Sequence, residues 1–410
     1  MKLIQNLITI GLAVATAGQI HAAGFHTGQS GASFTGQGQT GITFFDNAGL
    51  VAQNPAAIVK LEVGSHVYGG AARYQTNFTY EDFDGNNQAE TIHSASVVPH
   101  FYGLYNAKDW AIGTGIYFPF NSGTEWPDTW KGRNVLTKSR LATMNQPLVG
   151  SYSFGDFSVG GGVNFIAAQV TLENYADKNL GVKANLGGKG TATGWNASAL
   201  YDAGNIAAAL VYNSAYMLSG EGKAQFDTSS SPTLATTFAD GNITVDLNYP
   251  SLLEVAGSYK SFTSGDGYQS GAYAIEIGIL QSGWSAFDEI VIKYDKQLPA
   301  SETVLEQNWE DVIDYKIGGF YSMTDYLKIR SGYYRATSPI PESTLGPFTP
   351  DGVGRNSFYL GAGYKRRAFL MDLAYLISDT LPSETRTNLA LPGKYDGEAN
   401  VLQLSAGYSF

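Results

Sequence analysis

From about residue 61 to the C-terminus, apolar and polar positions alternate in short runs separated by clusters of Gly, Asn, Asp, Ser and Pro. Phe369, Met371, Leu373, Tyr375 and Ile377 fall on every second position, as do Phe157, Val159, Gly161, Val163 and Phe165. A period of two sets one face of a strand against an apolar medium and the other against something different. The last run has Tyr408, Ala406, Leu404 and Leu402 on one face. Ser409, Gly407, Ser405, Gln403 and Val401, mostly small or polar, lie on the other, and the run stops on the aromatic Phe410. That pattern predicts the closing strand of an outer-membrane β-barrel. The runs fall at residues 62–80, 93–106, 110–120, 140–154, 157–172, 193–201, 206–226, 243–260, 272–294, 312–323, 327–335, 356–366, 368–377 and 399–410. They number about fourteen, an even count that lets both ends of a single-chain bacterial barrel pair. Short connections (Gly155-Asp156, residues 202–205, Thr324-Asp325, Arg366-Arg367) alternate with longer polar ones, the rhythm of periplasmic turns and outer loops. The expectation is an all-β, about 14-stranded antiparallel transmembrane barrel over residues 61–410.

The chain ahead of the barrel has two other textures. Residues 1–22 read as an export signal: Lys2 supplies the positive start, residues 7–17 the apolar stretch, and Ile20-His21-Ala22 a small-residue cleavage site. The stretch is too short for the ~20 apolar residues a spanning helix needs. Residues 23–60 are rich in Gly, Gln, Ser and Thr without sustained alternation, yet carry Phe25, Phe34, Phe44, Phe45, Leu50, Val51 and Ile58. Such anchors favour a folded plug, or hatch, inside the barrel over a disordered tail.

Composition narrows the function classes. Charged residues make up 15% of the chain and Gly 49 of 410 positions, with 26 Tyr and 6 Trp. A barrel wall uses small residues where it is crowded and aromatic ones at the water interfaces. The net charge of −11 opposes nucleic-acid binding. With no Cys, a disulfide scaffold, a Cys-ligated metal and thiol catalysis are excluded. The four His after the signal, His26, His66, His93 and His100, form no metal-binding spacing and no base-nucleophile pattern. Neither an enzyme nor a metal or cofactor is expected. Gly160-Gly161-Gly162 reads as strand packing, and Glu276, Asp288 and Glu289 as lumen-facing charge.

Pro119 stands out. It lies in the run Gly113-Thr114-Gly115-Ile116-Tyr117-Phe118-Pro119-Phe120, where a proline removes a ladder donor. It marks either the strand's outer end or a break in the wall, through which a hydrophobic molecule could leave sideways.

Several motifs in order resemble the FadL family of outer-membrane long-chain fatty acid and hydrocarbon transporters. Ala23-Gly24-Phe25, then Asp46-Asn47-Ala48-Gly49 leading to Asn54-Pro55-Ala56, is similar to the family's mature start. Leu247-Asn248-Tyr249-Pro250, Trp284-Ser285-Ala286-Phe287, Trp309-Glu310-Asp311, Arg330-Ser331-Gly332-Tyr333 and Leu360-Gly361-Ala362-Gly363-Tyr364 continue the series. The resemblance implies a hatch gated through Phe25, Asn54, Pro55 and Ala56 inside a fourteen-stranded barrel. It also implies a lateral opening at an inward kink of the third strand, here Phe118, Pro119 and Phe120. Where the best-known fatty acid transporters hold a carboxylate with basic residues, this chain carries Asn174 and Val312. That departure leaves acid and neutral hydrocarbon both open as ligands, since a buried carboxylate needs a counter-charge and an apolar molecule does not.

The leading expectation is a monomeric outer-membrane channel of a Gram-negative bacterium, surrounded by lipid and lipopolysaccharide. It would pass hydrophobic small molecules without an energy source. The alternatives are a general diffusion porin for polar solutes, which the apolar anchors of residues 23–60 argue against, and a surface adhesin or barrel enzyme.

Overall fold

The computed structural model describes residues 24–410 except residues 29, 93, 299, 351 and 353. The export signal expected at residues 1–22 lies outside the described residues. Fourteen antiparallel strands close into a barrel. They are β1 (Gly64–Glu81), β2 (Ser94–Asn106), β3 (Trp110–Glu125), β4 (Lys138–Phe154), β5 (Phe157–Asp177) and β6 (Val182–Asp202). Then come β7 (Ile206–Asn213 with Tyr216–Asp227), β8 (Gly241–Tyr249 with Leu252–Lys260), β9 (Tyr273–Ser282 with Glu289–Leu298) and β10 (Ala300–Glu306 with Val312–Ser322). The circuit ends with β11 (Leu327–Thr337), β12 (Gly354–Arg366), β13 (Phe369–Thr380) and β14 (Gly393–Ser409). β14 pairs with β1 from His66↔Ser409 to Glu81↔Lys394, which closes the ring. Closure leaves no lipid-exposed edge, the condition for crossing a membrane with strands.

Each alternating run in the sequence corresponds to one strand. In β14, Leu402, Leu404 and Tyr408 are exposed on the outer wall, whereas Val401, Gln403 and Ser405 are buried inside. Four consecutive strands, β7 to β10, are interrupted where the sequence reads as one run or shows no strand. Across the β8 break at Pro250 and Ser251 the inward parity flips. Ile243, Val245, Leu247 and Tyr249 are buried above it, and Leu252, Glu254 and Ala256 below.

The described residues between 24 and 60 are largely buried against the strands and hold three short helical turns: α1 (Ala32–Gly36), α2 (Leu50–Gln53) and a 3-10 turn (Pro55–Lys60). Asn54 is extended (φ −153°, ψ 91°), as a residue before proline tends to be. Its side chain caps the turn by accepting from the Ala56 N–H and donates 2.8 Å to the Ile42 carbonyl. The Ala56 N–H also reaches Ser198 Oγ on β6 (2.8 Å). On β5, a Cβ at Gly160 would lie 2.4 Å from the Ala56 nitrogen. Only glycine lets the Asn54-Pro55-Ala56 turn rest directly on the wall there.

Candidate functional site

Buried polar groups tie the N-terminal segment to several strands of the barrel. Glu276 of β9, fully buried, accepts from the backbone N–H of Gly41 (2.6 Å), Ile42 (3.2 Å) and Thr43 (2.9 Å), and from the Thr43 hydroxyl. Asp46 pairs with Arg330 (3.2 Å) and Lys328 (3.8 Å) of β11, and Arg330 also reaches Asp372 of β13 (2.7 Å). Thr35 donates to Gln403 of β14 (2.6 Å), and the Ala32 N–H to Ser405 Oγ (3.0 Å). Charges buried in the lumen this way need partners, and those partners are the segment's own donors and acceptors. Glu276, expected as a lumen-facing charge, is thus matched by backbone donors of the segment.

β3 departs from the wall at Pro119. Its ladder with β2 runs from Asn106↔Ala111 to Phe101↔Ile116. Its ladder with β4 shifts register between Tyr117 and Phe120. The alternation of exposed and buried residues stops at Ile116, and Tyr117–Thr124 are all buried. Here the strand pairs with the N-terminal segment instead: the Thr27 N–H donates to the Pro119 carbonyl (2.9 Å) and the Asn121 N–H to the Phe25 carbonyl (3.0 Å). A His26↔Phe120 bridge sits between them. Proline has no N–H to contribute to a ladder, so at position 119 the strand has no donor to lose by leaving β2.

Three cavities follow one another through the barrel. The outer one, enclosing about 1270 Å³ of free space partly open to solvent, is lined by Asn174, Phe226, Phe238, Tyr294 and Phe348 among others. Through Leu172, Leu186, Ile292, Leu305 and Phe348 it shares walls with an apolar cavity of about 960 Å³, also partly open. Ile243, Val245 and Leu247 of β8 line that cavity, while Asn242, Thr244 and Asp246 are exposed on the other face. Apolar-inward, polar-outward parity is the reverse of the lipid-embedded wall, and it marks a part of the barrel that encloses an apolar space. Arg140 is the only charged residue among its described lining, and alternation places its Cβ on the face opposite Ser139 and Leu141.

The floor of the apolar cavity is aromatic. Phe25 meets Trp284 edge-on (5.9 Å, 83°), Phe287 edge-on (5.5 Å, 89°) and Trp309 at a tilt (5.0 Å). Phe120 is edge-on to Tyr249 (5.1 Å) and Trp284 (6.0 Å). Below lies a more polar chamber lined by His26, Gln39, Tyr117, Pro119, Phe120 and Lys316. Lys316 is paired with Glu254 (2.7 Å). Burial first, then the charges of Lys316 and Arg355, push the His26 imidazole down to about 3.

The structure therefore brings Phe25, Pro119 and Phe120 together around one floor. Phe118 packs beside them with Tyr74, Val98, Ala142 and Met144. Asn54, Pro55 and Ala56 sit apart, against β5 and β6. Asn174 lines the outer cavity and its amide donates to the Asn134 carbonyl (3.2 Å), while Val312 is buried in the apolar cluster around Trp309. These two do not converge on one site. Trp284, Trp309 and Tyr249 also belong to the floor, and the signal in the sequence that points towards them is the inverted parity of residues 242–249.

The folded value of His26 is below its ordinary one, so the unfolded or undocked state binds the extra proton between pH 6.5 and about 3. Docking is at full strength above that window and weakens as pH falls through it. Opening of the N-terminal segment, measured by protease cleavage within residues 24–60, should rise by up to about tenfold per pH unit there. His26→Phe should flatten the profile; an unchanged slope would assign it to other groups.

Comparison with known proteins follows the same lines. The family model described as "Outer membrane protein transport protein (OMPP1/FadL/TodX)" matches residues 13–410. A long-chain fatty acid transport protein of Salmonella typhi is 27% identical over 401 residues, spanning 88% of this chain and 87% of that one. A putative outer membrane protein of Neisseria meningitidis is 22% identical over 475 residues, spanning 99% and 98%. Among solved structures, a Pseudomonas aeruginosa FadL homologue superposes with a TM-score of 0.81 at 17% identity, covering 94% of this chain and 99% of that one. The Pseudomonas putida toluene transporter TodX gives 0.72 at 17% identity, covering 93% and 98%. These two likenesses concern the fold.

Proposed function

The chain belongs to the OMPP1/FadL/TodX family of outer-membrane transport proteins, and on that premise we propose that it is a passive uptake channel for hydrophobic small molecules with a sideways exit. As a member of a transport family it is an outer-membrane transporter and not an enzyme. The molecule enters the outer cavity, moves into the apolar cavity and rests on the aromatic floor. It passes into the lower chamber when Phe25 and the segment behind it, residues 24–60, shift as a hatch. It leaves between β2 and β3 beside Phe118, Pro119 and Phe120, into membrane lipid. No energy source is needed, because each CH₂ removed from water is worth about 0.8 kcal/mol, and lipid at the far end is as apolar as the cavity.

The observation that carries this reading is the inward course of β3, whose Pro119 carbonyl and Asn121 N–H bond the N-terminal segment rather than a wall strand. One contact joins the floor of the ligand cavity to the edge of the wall, so moving the segment and opening the wall are the same event. The names of the relatives, fatty acid transporters and a toluene transporter, indicate the range of ligands to try.

The test is uptake of labelled oleate and toluene by cells whose own transporter is deleted and which express this chain. Uptake should be saturable and unaffected by a protonophore. Passage of small sugars at porin-like rates, with no gain in oleate or toluene entry, would overturn the proposal.

A further inference from the structure

Trp284 and Trp309 come from the interruptions of adjacent strands, β9 and β10. The Trp284 turn (Trp284–Ala286) replaces the ladder of β9, and Trp309 lies between the two pieces of β10. These breaks swing both indoles into the lumen, with ring centroids 4.9 Å apart. Both are buried, and both indole N–H groups lack a hydrogen-bond partner. Trp284 also lines the apolar cavity, and no other residue of its described lining has a fully buried, unpartnered polar atom. Buried donors are nearly always paired, so an unpaired one on a cavity wall calls for an acceptor from outside the chain.

We propose that the indole N–H of Trp284, with Trp309 behind it, is the head-group donor for a hydrophobic ligand that ends in an oxygen acceptor. This rests on the cavity reading above and deepens it. The ligand class is an amphiphile whose carboxylate, carbonyl or hydroxyl oxygen seats on the aromatic floor while its tail fills the space under Val245 and Leu247. A bare hydrocarbon fits the same space but leaves the donor unmet.

The position of the donor links the head group to the hatch. A Cβ at Gly24 would lie 2.6 Å from Trp284 Cε2, the ring atom bonded to the indole nitrogen, and 2.8 Å from Trp309 Cζ3. Gly24 has φ +63°, a conformation glycine adopts readily. An oxygen that reaches this N–H therefore arrives against Gly24 and Phe25. It competes for the place the segment's first described residues hold, which a plain hydrocarbon higher in the cavity does not.

The experiment titrates the full chain in lipid nanodiscs, labelled with ¹⁵N-tryptophan, with dodecanoic acid, dodecan-1-ol and dodecane. The indole N–H resonances report binding. The acid and the alcohol should bind roughly tenfold tighter than dodecane, the effect of one hydrogen bond to a neutral or charged acceptor. They should also shift the Trp284 indole signal downfield. Trp284→Phe should abolish the preference, so that the three probes bind alike, whereas a loss of packing alone would weaken all three together and keep the preference. If the variant does not fold, the wild-type titration decides alone. Equal affinities of the three probes, or an unmoved Trp284 signal on saturation, would overturn the proposal and leave the cavity reading standing. Failure of all three to bind would remove the cavity reading itself.

Discussion

Cells carrying a chain in which residues 118–121 are replaced by a regular alternation of small and β-branched residues are expected to lose most uptake of hydrophobic substrate at equal surface abundance. The replaced segment would regain a donor at position 119 and β-type neighbours on both sides, so β3 could lie in register with β2 above Phe101↔Ile116. Closing the wall should slow entry roughly tenfold or more, the equivalent of about 1.4 kcal/mol added to the rate-limiting barrier. Pro119→Ala alone should do less, because the Thr27 and Phe25 backbones would still hold the strand inward. Wild-type uptake by the regular-strand variant would sink the sideways exit, and solute would have to leave through the lumen past the N-terminal segment.

The second large effect is expected at Glu276. Glu276→Leu leaves the buried N–H groups of Gly41, Ile42 and Thr43 without the carboxylate that accepts from all three. Each buried donor left unpaired costs about 1–3 kcal/mol, so the loss is about 3–9 kcal/mol, comparable with the whole stability of many domains. The barrel ladder does not depend on these bonds, and the wall should still close. The segment should undock. In planar bilayers this should appear as a clear rise in ion conductance, with rapid protease cleavage inside residues 24–60. A folded barrel with wild-type conductance and a protected segment would show that the Asp46 pairs with Lys328 and Arg330 hold it without Glu276.

β13 and β14 were readable over residues 369–377 and 399–409, where exposure and burial follow the period of two, but the strands begin or end beyond those runs, at Thr380 and Gly393. β8 was readable only in part. Its alternation is plain on both sides of Pro250, but the change of inward parity across the break comes from how its two pieces pair separately, above with β9 at Ile243–Asp246 and below at Leu252–Lys260. The missing donor at Pro119 could be seen in the sequence. Where the strand goes in consequence, and that Phe25 and Thr27 meet it there, could not.

Strand number, the apolar outer face, the proline in β3 and the apolar anchors of the N-terminal segment are properties of neighbouring residues, and the sequence alone determined them. Each rests on backbone geometry that repeats every second residue or on the chemistry of one side chain. The cavity, its aromatic floor and the seat of the segment were decided only by the tertiary structure. Gly41 reaches Glu276 across 235 positions, and Ala32 reaches Ser405 across 373. Such partners meet because the last strand pairs with the first: ring closure sets which inward-facing residues share a level of the lumen, and no local pattern encodes that.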